Sequence, residues 1–359
     1  MPLFYENIDE LSFNQYNIEE KKSKQYKCFS YISFYEGARI ALNMLEKEGY
    51  KVSLYVFDVG ENDTKKTSEA LNYKEMKDMD LIIPLVFKNS FDLISSFAEE
   101  NKIAVVNPMS PSDEILKNEC VFKIQPDDIS VAETIMKYVS EKHKDANAVI
   151  LFEDGQGNNA LINWYKENIT NYTSSWTIIN YKKNSSKLNN YIKPGVNNIV
   201  ISLVTRKTEN DNKLFASNLL KTLSSQKNKK ITLFAPYGWL DYNNLDYSLL
   251  ESLDYHFTLP YLNDYSNPNF VDFVKEYRTH FKTEPDKIYA ALGYDITMYF
   301  VKALGTKGNN LLNEPNIKDM YKMINRYHFK HKGNYPGWQN ERTTVYNIKN
   351  YKIKSEWSY

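Results

Sequence analysis

Two cysteines, Cys28 and Cys120, are all that 359 residues contain. That is too few to staple a disulfide scaffold, and the two pair only if the fold brings them together. Long hydrophobic runs are missing as well: no stretch reaches the roughly 18 apolar residues that a membrane-spanning helix needs. Neither sign of charge is in excess. Lys+Arg and Asp+Glu each number 45, which removes the motive for a nucleic-acid partner, since such proteins gather positive charge on one face. The cluster from Lys227 to Lys230 reads as a solvated turn between a helix and a strand. There is no Walker loop and no Gly-x-Ser-x-Gly elbow. His328 and His331 fall three apart in an extended segment, where they face opposite sides and do not make a metal site. No cofactor, metal or catalytic residue is expected. Residues 1–5 lead straight into a polar loop with no signal-peptide pattern. An apolar strand at the very first residue reads as a trimmed start, so the missing pattern is no proof of a cytoplasmic protein.

What the chain does have is aromatic residues, 29 Tyr and 18 Phe, rings that suit half-buried surfaces and ligand clefts equally well. It also has a steady alternation of helical and strand periodicities. Phe34, Ala38, Ala41, Leu42 and Leu45 line one face of a helix stopped by Gly49. Residues 51–57 then alternate as a strand, with Val52, Leu54 and Val56 on one face and Tyr55 and Phe57 on the other. Residues 80–86 and 103–106 read as strands buried on both faces, with a helix over 91–99 between them. The pattern restarts after residue 126, with strands over 148–152, 177–181, 198–204 and 231–235 and helices between them.

Such alternation predicts parallel sheets closed by right-handed crossovers. A third section differs: Phe270, Phe273, Val274, Tyr277 and Phe281 mark an amphipathic helix, a second helix spans 288–304, and strands follow at 327–331 and 343–348. Two helices make no core alone and must return to the first lobe. The expected architecture is therefore α/β, with two Rossmann-like lobes of parallel strands joined by a multi-strand hinge. Residues 1–124 with 260–325 form one lobe, and 125–259 with 326–359 form the other.

The order of these elements resembles the type I periplasmic binding proteins, the class that includes leucine/isoleucine/valine-binding proteins and receptor ligand-binding lobes. Phe34-Tyr35-Glu36-Gly37-Ala38-Arg39-Ile40-Ala41-Leu42 is similar to the family's first helix, whose Gly-Ala pair implies close packing on the sheet. Tyr55-Val56-Phe57-Asp58, Ile82-Ile83-Pro84-Leu85-Val86 and Val105-Val106-Asn107-Pro108-Met109-Ser110 resemble its second, third and fourth strands. Phe122-Lys123-Ile124-Gln125-Pro126 resembles the first lobe crossing, and Ala291-Leu292-Gly293-Tyr294-Asp295 resembles the last helix. The wording is most similar to a branch found downstream of LysM peptidoglycan-binding modules. Ile83-Pro84 replaces a Gly-Pro, Lys88 replaces a small residue, and residues 7–30 lengthen a ligand-side loop. These departures put amino-acid specificity in doubt.

In open parallel sheets ligands lie beyond the carboxyl ends of the strands. The candidates in the first lobe are Asn89, Ser90, Ser110 and Ser112. The resemblance implies serines there that hold an amino-acid carboxylate, while the plainer alternative is a turn around Pro111 and a helix cap. In the second lobe the candidates are Gly155 and Gln156 in the loop after the first strand, then Thr205 and Tyr237, with Arg206 able to pair with an acid. The family places an aromatic near Gly155. The implied function is an extracytoplasmic binding protein, periplasmic or envelope-associated, that closes two lobes over a small polar, amino-acid-like ligand. Its partners would be that ligand and a membrane transporter or envelope component. The rival is an envelope interaction module that keeps the fold without the ligand. A transcription regulator would need a helix-turn-helix ahead of the fold, for which the chain has no room.

Overall fold

A computed structural model describes residues 1–2, 27–155, 157–243, 245–318 and 322–358. The chain divides into two units, Met1–Asp127 with Tyr261–Glu341 and Asp128–Pro260 with Arg342–Tyr359. It therefore passes from one unit to the other three times.

Unit 1 draws helix α1 (Lys27–Lys47), α2 (Thr64–Leu71), strand β1 (Leu81–Ile82), α3 (Lys88–Asn101), β2 (Ala104–Asn107) and β3 (Val121–Lys123) from its first stretch. From its second it takes α9 (Pro268–Phe281), α10 (Tyr289–Lys307), β9 (Phe329–His331) and β10 (Trp338–Asn340). The strands line up in the order β1-β2-β3-β10-β9. All neighbours are parallel except β10 and β9. The helical periodicity is realised in α1, where Phe34, Ala38, Ala41 and Leu45 are buried and Gly49 follows the helix at φ +95°. Helix α10 is apolar nearly all round and buried from Ala290 to Phe300, as a helix enclosed by neighbours must be.

The Gly-Ala pair of α1 meets a helix and not the sheet. A Cβ on Gly37 would sit 1.8 Å from the Ala290 carbonyl oxygen, and one on Gly293 would sit 2.0 Å from that of Phe34. The two backbones approach so closely that only hydrogen fits at either place. Inside α10, Asp295 is fully buried and accepts from the backbone N–H groups of Ile324 and Asn325 and from Asn325 Nδ2, at 2.8–2.9 Å. It pins the connection after α10 to that helix. Burial pushes its carboxyl up to about 7, against the pull of those three donors.

Unit 2 contains α4 (Asp128–Lys142), β4 (Asn147–Phe152), α5 (Asn159–Asn168), β5 (Ser175–Asn180), α6 (Tyr181–Asn184), β6 (Asn197–Ser202), α7 (Glu209–Ser224), β7 (Lys230–Phe234), α8 (Tyr247–Ser252) and β8 (His256–Leu259). The hairpin β11 (Thr344–Lys349) and β12 (Lys352–Ser358) completes it. The sheet order is β12-β11-β8-β7-β6-β4-β5. The strands from β5 to β8 are parallel, and β11 and β12 add to the edge antiparallel. Asn350 and Tyr351, both near φ +55°, form the two-residue turn of that hairpin.

Three expectations need correction. Both sheets are mixed and not purely parallel, because consecutive strands joined by short connections, β9 with β10 and β11 with β12, pair antiparallel, and β11 adds antiparallel to β8. Residues 326–341, expected in the second lobe, belong to unit 1: β10 pairs with β3 in parallel, Trp338 opposite Phe122. Residues 51–57 form no strand despite their alternation, because a strand needs neighbours to accept its backbone hydrogen bonds. Residues 7–26 of the predicted long loop lie outside the described residues.

Candidate functional site

In unit 1 the carboxyl ends of β1 and β2 lead into two loops. The first opens α3. Asn62 Oδ1 accepts from the backbone N–H groups of Asn89 (3.1 Å) and Ser90 (3.4 Å), and the Glu61 carbonyl accepts from Phe87 N–H at 2.5 Å. The donors that a helix N-terminus offers to an anion are thus partly taken by the preceding loop. Ser90 is fully buried, and Thr67 donates to its hydroxyl at 3.0 Å; Asn89 stays exposed.

The second loop is an Asx turn. Asn107 Oδ1 accepts from Met109 and Ser110 N–H. Ser110 Oγ then accepts from Ser112 N–H, and Ser112 Oγ caps the short helix that follows by accepting from Glu114 N–H. These serines shape the turn, the plainer of the two roles open to them. Lys88 and Glu114 tie the two loops together through an exposed ion pair at 2.6 Å.

Behind the second loop lies a charged anchor with no local signal in the sequence. Lys123, with no exposed side-chain surface, pairs with Asp113 at 2.6 Å. Lys332 reaches Asp113 at 2.5 Å and also contacts Asp127. Burial alone would raise the Asp113 carboxyl, but the bonds from Lys123 and Lys332 hold it below its usual range. Next to it, Gln125 Nε2 donates to Tyr261 Oη (2.8 Å) and to the Pro108 carbonyl (3.0 Å), and Gln339 Nε2 donates to the Gln125 carbonyl (2.9 Å). Residues beside all three exits from unit 1 are thereby fastened to one another.

In unit 2 the strands β4, β6 and β7 end side by side. Gly155 and Gly157 hold left-handed backbone at φ +79° and +71° after β4; Gln156 lies outside the described residues. After β6, Thr205 is exposed and Arg206 is half-buried. The Arg206 backbone is gripped at both N–H and C=O by Asn212. Its Nη2 donates to Glu153 Oε1 at 2.6 Å, and its guanidinium lies 5.3 Å over the Phe215 ring. Tyr181 and Trp239 pack edge-on against Phe215. The Arg206 Nε is buried with no partner among the described residues. After β7, Tyr237 is half-buried against Phe257, 5.1 Å between ring centres, and burial raises its hydroxyl pKa. Glu153 and Phe215 were not singled out as site residues: Glu153 follows β4, 53 residues from Arg206, and Phe215 reads from the sequence as part of the apolar face of α7.

Other sequence candidates separate. His331 stacks on Trp338, while His328 lies near Glu341, and no cluster of metal-ligating side chains occurs among the described residues. Cys120 is buried and its thiol is pushed up to about 11 by that burial; the Cys28 side chain lies outside the described residues. No described helix is long and apolar enough to cross a membrane.

A family model described as periplasmic binding protein matches residues 28–323. No curated protein matches the sequence. Among solved structures, an ABC transporter substrate-binding protein from Desulfitobacterium hafniense, in complex with Leu, is 16% identical with a TM-score of 0.58, covering 90% of this chain and 95% of its own. A branched-chain amino acid ABC transporter periplasmic ligand-binding protein from Burkholderia xenovorans is 10% identical with a TM-score of 0.60, over 91% and 90%. A solute-binding protein of an ABC transporter from Rhodopseudomonas palustris, in complex with 3,4-dihydroxybenzoic acid, is 12% identical with a TM-score of 0.52, over 92% and 93%.

Proposed function

The chain belongs to the periplasmic binding protein family, and we propose that it binds a small polar, amino-acid-like solute outside the cytoplasm, its two lobes closing over the ligand. On this reading it works by binding and not by catalysis, and it delivers the solute to a membrane transporter or an envelope component. The observation that carries the reading is Arg206. It is held by Asn212, Glu153 and Phe215 at the carboxyl end of β6, with its buried Nε still unmatched among the described residues. A carboxylate satisfies such a donor with a charge-assisted hydrogen bond. Tyr237, at the end of the adjacent strand β7, supplies a ring and a hydroxyl for the rest of the ligand.

The test is a thermal-shift screen against amino acids, short peptides, peptidoglycan fragments and small sugars. A ligand that binds only the folded state adds about 2.7 kcal/mol at a hundredfold excess over its Kd, and acidic solutes should be the ones that do. Arg206→Ala should remove that shift, and so should Ser110→Ala combined with Tyr237→Ala, without unfolding the chain. Unchanged affinity in both variants would rule out this placement of the ligand.

The rival reading, an envelope interaction module without a solute, draws on unit 1. There Ser90 is sealed beneath Thr67, and Ser110 and Ser112 serve their own turn. A screen with no shift in any chemical class would favour it.

A further inference from the structure

The zero net charge of the chain conceals a division. Unit 2 holds 19 Lys and Arg against 14 Asp and Glu, whereas unit 1 holds 26 against 31. Most of the excess in unit 2 comes from one stretch: residues 168–240 contain 11 Lys and Arg and only two acids, Glu209 and Asp211. The fold sorts these cations onto the two ends of the sheet. At the carboxyl ends of the strands three of them are neutralised, Lys183 by Asp154, Arg206 by Glu153 and Lys213 by Glu209. At the amino ends, Lys187, Lys193, Lys221, Lys227, Lys229 and Lys230 pair with no acid among the described residues. All but the half-buried Lys229 are exposed.

These six lysines form one surface. Lys221 sits in the last turn of α7, and the others lie in the segments that lead into β6 and β7, up to Lys230 at the start of β7. Asn197 and Lys230, the first residues of the two strands, stand opposite each other in the parallel register. Asn198 Nδ2 donates to the carbonyls of both Lys193 (2.9 Å) and Lys230 (3.0 Å), and Lys229 Nζ reaches across to the Asn189 carbonyl at 3.2 Å. Two strand positions farther along the same end of the sheet, roughly 10 Å from β7, is the tip of the β11–β12 hairpin. There Tyr351 is 70% exposed, between Lys349 and Lys352. Three acids at this end are already engaged: Asp254 accepts from Thr232 Oγ1, Glu251 from Asn350 N–H, and Glu356 pairs with Lys349.

We propose that this amino-end face of unit 2 is a docking surface for an anionic phospholipid bilayer, with the lysines over lipid phosphates and the Tyr351 ring at the level of the headgroups. The cations decide the kind of partner. Each is a strongly hydrated point charge on a flexible stem, without the bidentate geometry of arginine, so together they suit a broad array of phosphates and not one shaped anion. An exposed ring with a polar tip, set between two lysines, belongs where water meets lipid. The face lies at the opposite end of the strands from the loops that carry Arg206 and Tyr237, so unit 2 can rest on lipid with those loops in water. The surface does not depend on the solute-binding reading and operates with or without a ligand.

The test is co-sedimentation of the full chain with vesicles of phosphatidylcholine, alone or with about one-third phosphatidylglycerol. The anionic vesicles should bind at least about tenfold more tightly, and raising the salt from about 0.05 M to about 0.5 M should remove the difference. Lys187→Glu with Lys227→Glu should weaken that binding about tenfold or more. Lys182→Glu with Lys207→Glu makes the same charge change at the other end of the sheet and should leave binding within about twofold. Tyr351→Ser should weaken it by about threefold. All five positions are exposed, so the variants should melt as the parent does. Equal binding to neutral vesicles, or equal losses from the two double variants, would overturn the proposal. So would capture of a short oligonucleotide, blocked by Lys187→Glu with Lys227→Glu, at a salt concentration where the anionic vesicles fail to bind; that outcome assigns the surface to nucleic acid.

Discussion

Strand β4 in unit 2 and the 51–57 run in unit 1 have the same kind of sequence and opposite fates. β4 is bonded to β5 on one side and β6 on the other, and Ala148 through Leu151 are completely buried. The 51–57 run is as rich in β-branched and aromatic residues, but among the described residues it meets a partner only at Met1, and its apolar side chains stand exposed. The difference lies in the neighbours. β propensity measures how well a residue fits a pleated surface that already exists, so it can be present in full where no strand forms.

The sharpest way to break that comparison is to trim one side chain on each side of it. Ile150→Ala removes a fully buried side chain and should cost the unit 2 transition about 3 kcal/mol in urea melts. Val56→Ala, at 43% exposure, should change the unit 1 transition by about 0.5 kcal/mol or less. Equal losses would mean that the run is packed after all.

A second difference between the units is electrostatic, and it should give their stabilities opposite slopes against pH. In unit 1, Asp295 has its folded pKa raised to about 7 by burial. The stability it lends is complete below its unfolded value and is lost as pH rises toward 7. In unit 2, burial lowers the pKa of His256 and of His143. These bases contribute stability that is complete above their unfolded value and is lost as pH falls through the folded one. Just below the ordinary histidine value of about 6.5, then, unit 1 should lose stability as pH rises while unit 2 gains it, and Asp295→Asn should flatten the first slope alone. Calorimetry that resolves the two transitions checks this, and parallel slopes would contradict it.

The smallest effect expected is from Lys88→Ala. The Lys88–Glu114 pair joins the two candidate loops of unit 1 at 2.6 Å, but both side chains are more than half exposed. Solvent screens such a pair, so its removal should leave the urea midpoint unmoved. A measurable loss would mean that the loops depend on it, as unit 2 should depend on the Arg206–Glu153 pair, where Glu153 is buried.

Reading from residues to site, the legible parts were those with local causes. The spacing of Phe34, Ala38, Ala41 and Leu45 was enough for α1, and the spacing of Phe270, Phe273, Val274 and Tyr277 was enough for α9, because a helix closes its own hydrogen bonds. The strand ends that carry Ser110, Thr205 and Tyr237 were also legible, since parallel sheets put their loops there. Glu153 beneath Arg206, Asp113 between two lysines and Asn62 over the start of α3 were not. Each partner is 10 to 219 residues away in the chain, and no local pattern encodes such a meeting.

By itself the sequence determined the fold class, the alternation of elements and the ends of the strands, because periodicity, turn chemistry and composition act over a few residues. Tertiary structure alone decided three other matters. Gly37 and Gly293 serve a helix–helix approach, β10 completes the first sheet by pairing with β3, and residues 51–57 border a cavity in place of joining a ladder. In each case the deciding partner comes from elsewhere in the chain, and a hydrogen bond or a close approach exists only when both sides are present.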